Sequence, residues 1–452
     1  MLPSTAARVR ATKARVPPRV VVRSSPVRAT KARVTPRVVV RRAKLRKMAP
    51  NANASYGGAS SRVLYQDLAA GKDVDVSVEL LEPLERKQSE WRSLSPSVKR
   101  EFAEAVLKSV ESLAWRDVWL DDGQLVLEGI ETKSDAAKFT ASQKFTFGLI
   151  AKKYLQSVIK ELGQTSASST AAAKTVVEGH SVFDLDPLAM PNVKAEAWCL
   201  DSIPREDAPA PLSGVCLVLG AGNQNFLSLI DLLDRLFVHD QVVLLKHHPL
   251  RPFLFGPYAS ILRPLIDAGY VRMVQDNGVE FSEKLCCHPL VSNIHVTGSG
   301  ATHDAICRSL ERVGRGSDVE VTCELGCVTP WIVANGTWKG QEIDFQTRIL
   351  AAAKKLGAGA NCLSPQVLIL DEDWPQLEAF FTALKSNLRK LEDNPSYYPG
   401  SPQRLESLRA QYPTTRITEV PCTRQDGASS KPTLPVTLLD CGVYDDNGSE
   451  NG

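Results

Sequence analysis

Cys362 is the residue of this 452-residue chain whose surroundings best suit covalent chemistry. It follows the small-residue run Gly357-Ala358-Gly359-Ala360 and precedes the apolar segment Val367-Leu368-Ile369-Leu370. Small residues let backbone or ligand approach closely. A thiol at the mouth of such a turn can act as a nucleophile once ionised. Taken alone, it reads more readily as a small buried filler. Three further stretches stand where apolar runs end: Gly220-Ala221-Gly222-Asn223, Lys246 and Gly298-Ser299-Gly300. Open parallel sheets bind ligands at such strand ends. Metal chemistry is not expected. The ten cysteines include no C-x-x-C pair, and Cys286-Cys287-His288 reads as part of a core helix with no other ligand set in view.

These residues need a scaffold, and residues 214–335 supply its pattern. A short continuous apolar run at 214–220 reads as a buried strand, and 241–246, 271–275, 291–300 and 319–326 read as further strands. Helical spacing lies between them at 226–237, in the second half of 252–269 and at 282–289. The alternation predicts an α/β fold with a Rossmann-like parallel sheet. A strand over 329–335 and a helix over 343–357 lead to the cysteine segment. Upstream, Ser95 and Pro96 open a helix over 95–113, and 142–162 forms an amphipathic helix. Residues 165–174 read as a loop or weak helix, and 178–213, with five prolines, as irregular.

Read in order, these stretches resemble the aldehyde dehydrogenase superfamily. "CELGCVTPWIVAN" (323–335) is similar to its E-L-G-G-x-x-P-x-I-V segment, and "GANCLSPQVLIL" (359–370) to its G-Q-x-C segment. "LVLGAGNQNFLSLIDLL" (217–233) stands where the family has P-W-N-x-P, "QVVLLKHHP" (241–249) matches V-V-L-K-P-S-E, and "IHVTGSGATHDAI" (294–306) matches F-T-G-S. A divergent, poorly characterised branch resembles the chain more closely, with its asparagine in a G-A-G-N turn and a Y-Y-P-G like that at 397–400. The resemblance spans about 100–412. It implies oxidation of an aldehyde to a carboxylic acid with NAD or NADP. Cys362 would be the nucleophile that forms a thiohemiacetal and then a thioester. The Asn223 amide and the Cys362 backbone N–H would hold the oxyanion. Glu324 would activate the hydrolytic water. Lys246, Gly222, Gly298 and Ser299 would bind the cofactor, the last two by opening a helix towards its pyrophosphate.

Some positions depart from the pattern. His303 stands where the family often has a closing glycine, and Cys327 replaces the second glycine of E-L-G-G. Pro249 takes the place of a glutamate that holds the adenosine ribose, with His247 and His248 beside it, so tolerance of NADP is expected. The ninety residues after Cys362 carry no E-x-F-G-P segment and no family dimer strand, which reads as a truncated catalytic domain. Two alternatives follow: a catalytically inactive nucleotide-binding paralogue, and an acyl-thioester reductase. Reductases of that type generally lack the water-activating glutamate, so Glu324 argues against the second.

Charge is unevenly spread. Residues 1–66 hold sixteen Lys and Arg and no acid, leaving 38 basic against 51 acidic residues in 67–452, a net of −13. The body therefore gains no support from bulk charge for a phosphate-binding role. The arm is a tandem duplication: "VRATKARVPPRVVVR" (9–23) returns as "VRATKARVTPRVVVR" (27–41). Its Arg, Val, Ala and Thr composition suits an organellar transit peptide, and its prolines favour chloroplast over mitochondrion. A disordered basic tail is the alternative. The expected organisation is a transit-like arm (1–48), a linker (49–66), an NAD(P)-binding domain with N-terminal helices (67–322), a truncated catalytic domain (323–412) and a polar tail (413–452). No run approaches the ~18 apolar residues of a membrane span. The expected partner is a small-molecule aldehyde, with no specific nucleic acid and no membrane. A homo-oligomer would have to form without the family's dimer strand.

Overall fold

A computed structural model describes residues 18–21, 75–113, 141, 144–163, 175–177, 180–185, 195–200, 214–391, 396–421, 433–444 and 450–451. The expected loop at 165–174 and linker at 49–66 lie outside them, as does most of the basic arm. The first described segment is a short strand, β1 (Pro18–Val21). The chain divides into two compact units, 39–326 and the remainder.

The first unit begins with helices α1 (Glu82–Ser93), α2 (Pro96–Ser112) and α3 (Leu149–Leu162). Ser95 caps α2 by accepting from the Val98 amide, and Pro96 sits in the first turn, where its missing N–H costs nothing. Trp91 on α1 fixes the helices to the core: its indole donates to the Leu236 carbonyl at 3.0 Å, and its ring lies 4.8 Å from that of Tyr270.

The segment 178–213, expected to be irregular, instead holds strands β3 (His180–Leu185) and β4 (Ala195–Leu200), and β2 (Thr175–Val177) just before it pairs with β3, all antiparallel. The prolines fall outside these strands, where they interrupt no ladder bond.

The main sheet contains β5 (Val215–Leu219), β6 (Val243–Lys246), β7 (Val271–Val274), β8 (Val291–Thr297) and β9 (Glu320–Glu324), ordered β7-β6-β5-β8-β9 and parallel throughout. Every residue of β5 and β6 is buried, which is why all of β5 and the first three residues of β6 are apolar. Helices α4 (Leu227–Phe237), α5 (Phe255–Ile261), α6 (Arg263–Asp267), α7 (Val279–Cys286) and α8 (Gly300–Arg312) make the connections. Strand order reverses between β5 and β8, so the ligand crevice of this α/β sheet is expected beyond Leu219 and Thr297.

The second unit contains β10 (Pro330–Val333), α9 (Gly340–Lys355), β11 (Val367–Asp371), α10 (Leu377–Lys390), α11 (Ser401–Gln411), β12 (Ile417–Val420), β13 (Val436–Tyr444) and β14 (Glu450–Asn451). Its sheet runs β10-β11-β1-β13-β12, with β14 on β13. Leu350, Leu368, Leu370, Trp374, Phe380 and Leu388 form its core. The segment 413–452, expected as a polar tail, thus contributes strands to a sheet. Leu438 and Leu439 are buried there, which a tail would not require.

Candidate functional site

The turn after β5 is built around missing side chains. Gly220 donates its amide to the Lys246 carbonyl, and a Cβ there would lie 3.1 Å from that oxygen and 2.9 Å from Ser228 Oγ. A Cβ on Gly222 would meet three ring atoms of His248 at 2.5–2.8 Å. The imidazole therefore lies against the glycine that precedes Asn223.

Arg251, a residue sequence reasoning passes over, ties this turn together. It is 2% exposed. Its guanidinium donates to the Gly222 carbonyl (2.9 Å), the Asn225 side-chain oxygen (3.1 Å) and the Asn223 carbonyl (3.0 Å). Tyr258 adds a bond to the Asn225 carbonyl at 2.6 Å. Asn223 itself is half-buried. In sequence, Arg251 reads as an ordinary surface base; only its place in "PLRPFLF", among apolar residues and prolines, hints at burial.

Lys246 closes β6 and is buried to 6%. Its ammonium pairs with Asp276, which follows β7. Asp276 is another residue that sequence reasoning misses. His247 is 1% exposed and packs between Phe255 and Tyr258, with ring centroids 5.5 and 5.4 Å away. Desolvation, and then the nearby Lys246 charge, push its pKa down to about 3. The same two causes, with Arg251, bring His248 to about 4. Both rings are neutral near pH 7. The expectation of NADP tolerance loses two supports here: neither histidine carries a positive charge, and a carboxylate stands beside Lys246.

Gly298 and Ser299 lead into α8. Ser299 accepts from the Thr302 amide at 3.2 Å, an N-cap that leaves the helix start facing the strand ends. The Gly298 amide donates to the Glu324 carbonyl at 3.0 Å, placing Glu324 beside this turn at the exposed end of β9. The fold thus brings Gly222, Asn223, Lys246, Gly298, Ser299 and Glu324 to the carboxyl ends of one parallel sheet. Lys246 supplies a cation and the α8 N-terminus a partial positive charge, a set suited to a dinucleotide.

Cys362 belongs to the other unit, so its surroundings are described there. It is exposed, its thiol donates to the Asn361 side-chain oxygen at 3.6 Å, and its carbonyl accepts from Thr329 Oγ1. The turn before it bends through the left-handed region at Gly357 (φ 58°), Ala358 (φ 54°) and Gly359 (φ 77°). Ala358 is the non-glycine there, and left-handed backbone costs such a residue about 1–2 kcal/mol. Lys354 is half-buried as a residue, and enclosure of its ammonium lowers its pKa to about 8. Exposure alone does not single out Cys362, because Cys199, Cys323 and Cys327 are exposed as well. Cys216 and Cys286 are buried, and desolvation raises each thiol to about 12, the inert behaviour of core thiols. Among the described residues there is no group of three or more His, Cys, Asp or Glu arranged to hold a metal, and no helix long and apolar enough to cross a membrane.

Residues 208–398 match the aldehyde dehydrogenase family model, a span that contains every site residue named above. No curated protein matches. Among solved structures, the chain is similar to the aldehyde dehydrogenase AldC of Pseudomonas syringae, a mutant form complexed with NAD+ and octanal. Identity is 14% and the TM-score 0.53, covering 83% of this chain and 66% of that one. It is also similar to a salicylaldehyde dehydrogenase of Pseudomonas putida G7 (14% identity, TM-score 0.52, 82% of this chain and 69% of that one). A third is the proline utilization A protein of Bradyrhizobium japonicum (16% identity, TM-score 0.55, 82% of this chain and 35% of that one). The chain thus spans about two thirds or less of these proteins. The structural likeness carries the α/β fold, and the similarity to the aldehyde dehydrogenase family is carried by residues 208–398.

Proposed function

We propose that the chain is an NAD(P)-dependent oxidoreductase that converts an aldehyde to a carboxylic acid. The observation that supports this best is the sheet-end cluster of Gly222, Asn223, Lys246, Gly298, Ser299 and Glu324, within a matched segment that also contains Cys362. In this reading the Cys362 thiolate attacks the aldehyde carbonyl and forms a thiohemiacetal. The Asn223 side-chain amide and the Cys362 backbone N–H donate to the developing oxyanion. Arg251 keeps the Asn223 backbone in place. A nicotinamide dinucleotide, when bound, would supply the hydride acceptor, and loss of hydride from the thiohemiacetal would leave a thioester on Cys362. Glu324, exposed at the end of β9, takes a proton from the water that hydrolyses it. Lys246 and the N-terminal amides of α8 would hold the dinucleotide.

The test is aldehyde-dependent formation of reduced cofactor by the full chain across a panel of aliphatic and aromatic aldehydes. Turnover with at least one aldehyde, abolished by Cys362→Ala, is expected. Dinucleotide binding without turnover on any aldehyde would favour the inactive paralogue.

A further inference from the structure

Pro249 leaves the chain without a carboxylate at the position where the resemblance expects one for the adenosine ribose. The fold supplies one from another strand. β6 and β7 are parallel neighbours, with Lys246 paired to Val274. That register sets Asp276, two residues beyond β7, beside the end of β6. One Asp276 oxygen accepts from the Lys246 ammonium, and the other accepts from the Gly278 amide at 3.2 Å. The carboxylate is thus clamped by two donors on different segments. Its side chain remains 20% exposed, while that of Lys246 is only 8% exposed. A carboxylate has about four acceptor sites, and these two bonds fill one on each oxygen. Each oxygen therefore keeps capacity to accept from a ligand.

We infer that Asp276 is the residue that selects the cofactor, accepting hydrogen bonds from the ribose 2′- and 3′-hydroxyls of NAD and repelling the 2′-phosphate of NADP. This rests on the dinucleotide reading given above. A vicinal diol offers two donors to an acceptor-only group. A 2′-phosphate offers none and brings negative charge against the carboxylate. The cations that could offset that charge are committed. Lys246 is paired with Asp276, Arg251 is bonded to the 222–225 turn, and His247 and His248 are neutral. Asp276 at the end of β7 thus takes over, from a different strand, the discrimination that Pro249 cannot provide.

Isothermal titration of the full chain with NAD and with NADP, without aldehyde, tests the inference through binding alone. The wild type is expected to prefer NAD by a hundredfold or more. Asp276→Asn, which keeps shape and removes charge, should narrow that preference at least tenfold, chiefly by gaining NADP affinity. Asp276→Ser serves if the asparagine variant unfolds. Comparable wild-type affinities for the two dinucleotides overturn the inference while leaving the cofactor reading intact. So does a preference for NAD that neither variant changes. Binding of neither dinucleotide by the wild type overturns both.

Discussion

Gly222 and the His248 imidazole compete for one volume. A methyl group at 222 would sit 2.5–2.8 Å from the ring, closer than atoms pack, and the ring is held because His248 Nδ1 accepts from the Leu250 amide at 3.1 Å. Gly222→Ala should therefore cost roughly 1–3 kcal/mol of stability in urea unfolding, the range for forced overpacking. In a His248→Ala background the same substitution should cost well under half as much. An equal cost in both backgrounds would show that the ring is not what Gly222 accommodates. At this scale the sequence is partly readable. Gly222, Asn223, Lys246, Gly298 and Ser299 stand out because each stands at the end of a strand-like segment, and a strand's carboxyl end is a local feature. Arg251 and Asp276 do not stand out. "PLRP" and "QDNG" read as ordinary polar turns, and their importance lies in partners 26–30 positions away.

At the scale of elements, β6 carries an acid-sensitive load. His247 continues that strand into the interior, and its folded pKa of about 3 lies below the value near 6.5 of an unfolded chain. Between those values the unfolded chain binds the proton and the folded one does not. The stability is thus fully present above pH 6.5 and is lost as pH falls towards 3. Between pH 7 and pH 5 the loss from this one ring is about 2 kcal/mol. His247→Phe keeps an aromatic ring against Phe255 and Tyr258 and removes the proton. Its unfolding free energy should fall less over that interval, by about the same 2 kcal/mol. An unchanged pH dependence would place the acid sensitivity elsewhere. The elements themselves differ in how plainly the sequence declares them. β5 and Val243–Leu245 of β6 are unbroken apolar runs because both faces of a parallel sheet are covered. β2 to β4 escape a reading of periodicity, because prolines around short antiparallel strands resemble loop. β13 resembles tail, because its partners β1 and β12 lie far away or are short, and strand pairing is not a local property.

For the whole molecule, the duplicated basic arm raises a question its composition cannot answer alone. β1 lies inside the first repeat and pairs antiparallel with both β11 and β13. A transit segment is removed after import, and removal of 1–48 would leave two strand edges without that partner. We propose that the arm directs the chain to an organelle, the chloroplast before the mitochondrion. A fluorescent protein fused to 1–48 should then be imported, and the chain lacking 1–48 should unfold at the same denaturant concentration as the full chain. Cytosolic or nuclear fluorescence would sink the targeting proposal. A lowered unfolding midpoint would show instead that β1 is a working part of the sheet.

In the proposed reaction Cys362 passes through a thioester that Glu324 helps to hydrolyse. The most direct measurement is peptide mass mapping of the full-length Glu324→Gln variant after exposure to an aldehyde turned over by the wild type, together with its dinucleotide. An acyl mass retained on the peptide containing Cys362, and lost in the Glu324→Gln/Cys362→Ala double variant, is the predicted result. An acyl mass on Cys199, Cys323 or Cys327, or no acyl mass on any peptide, would contradict it.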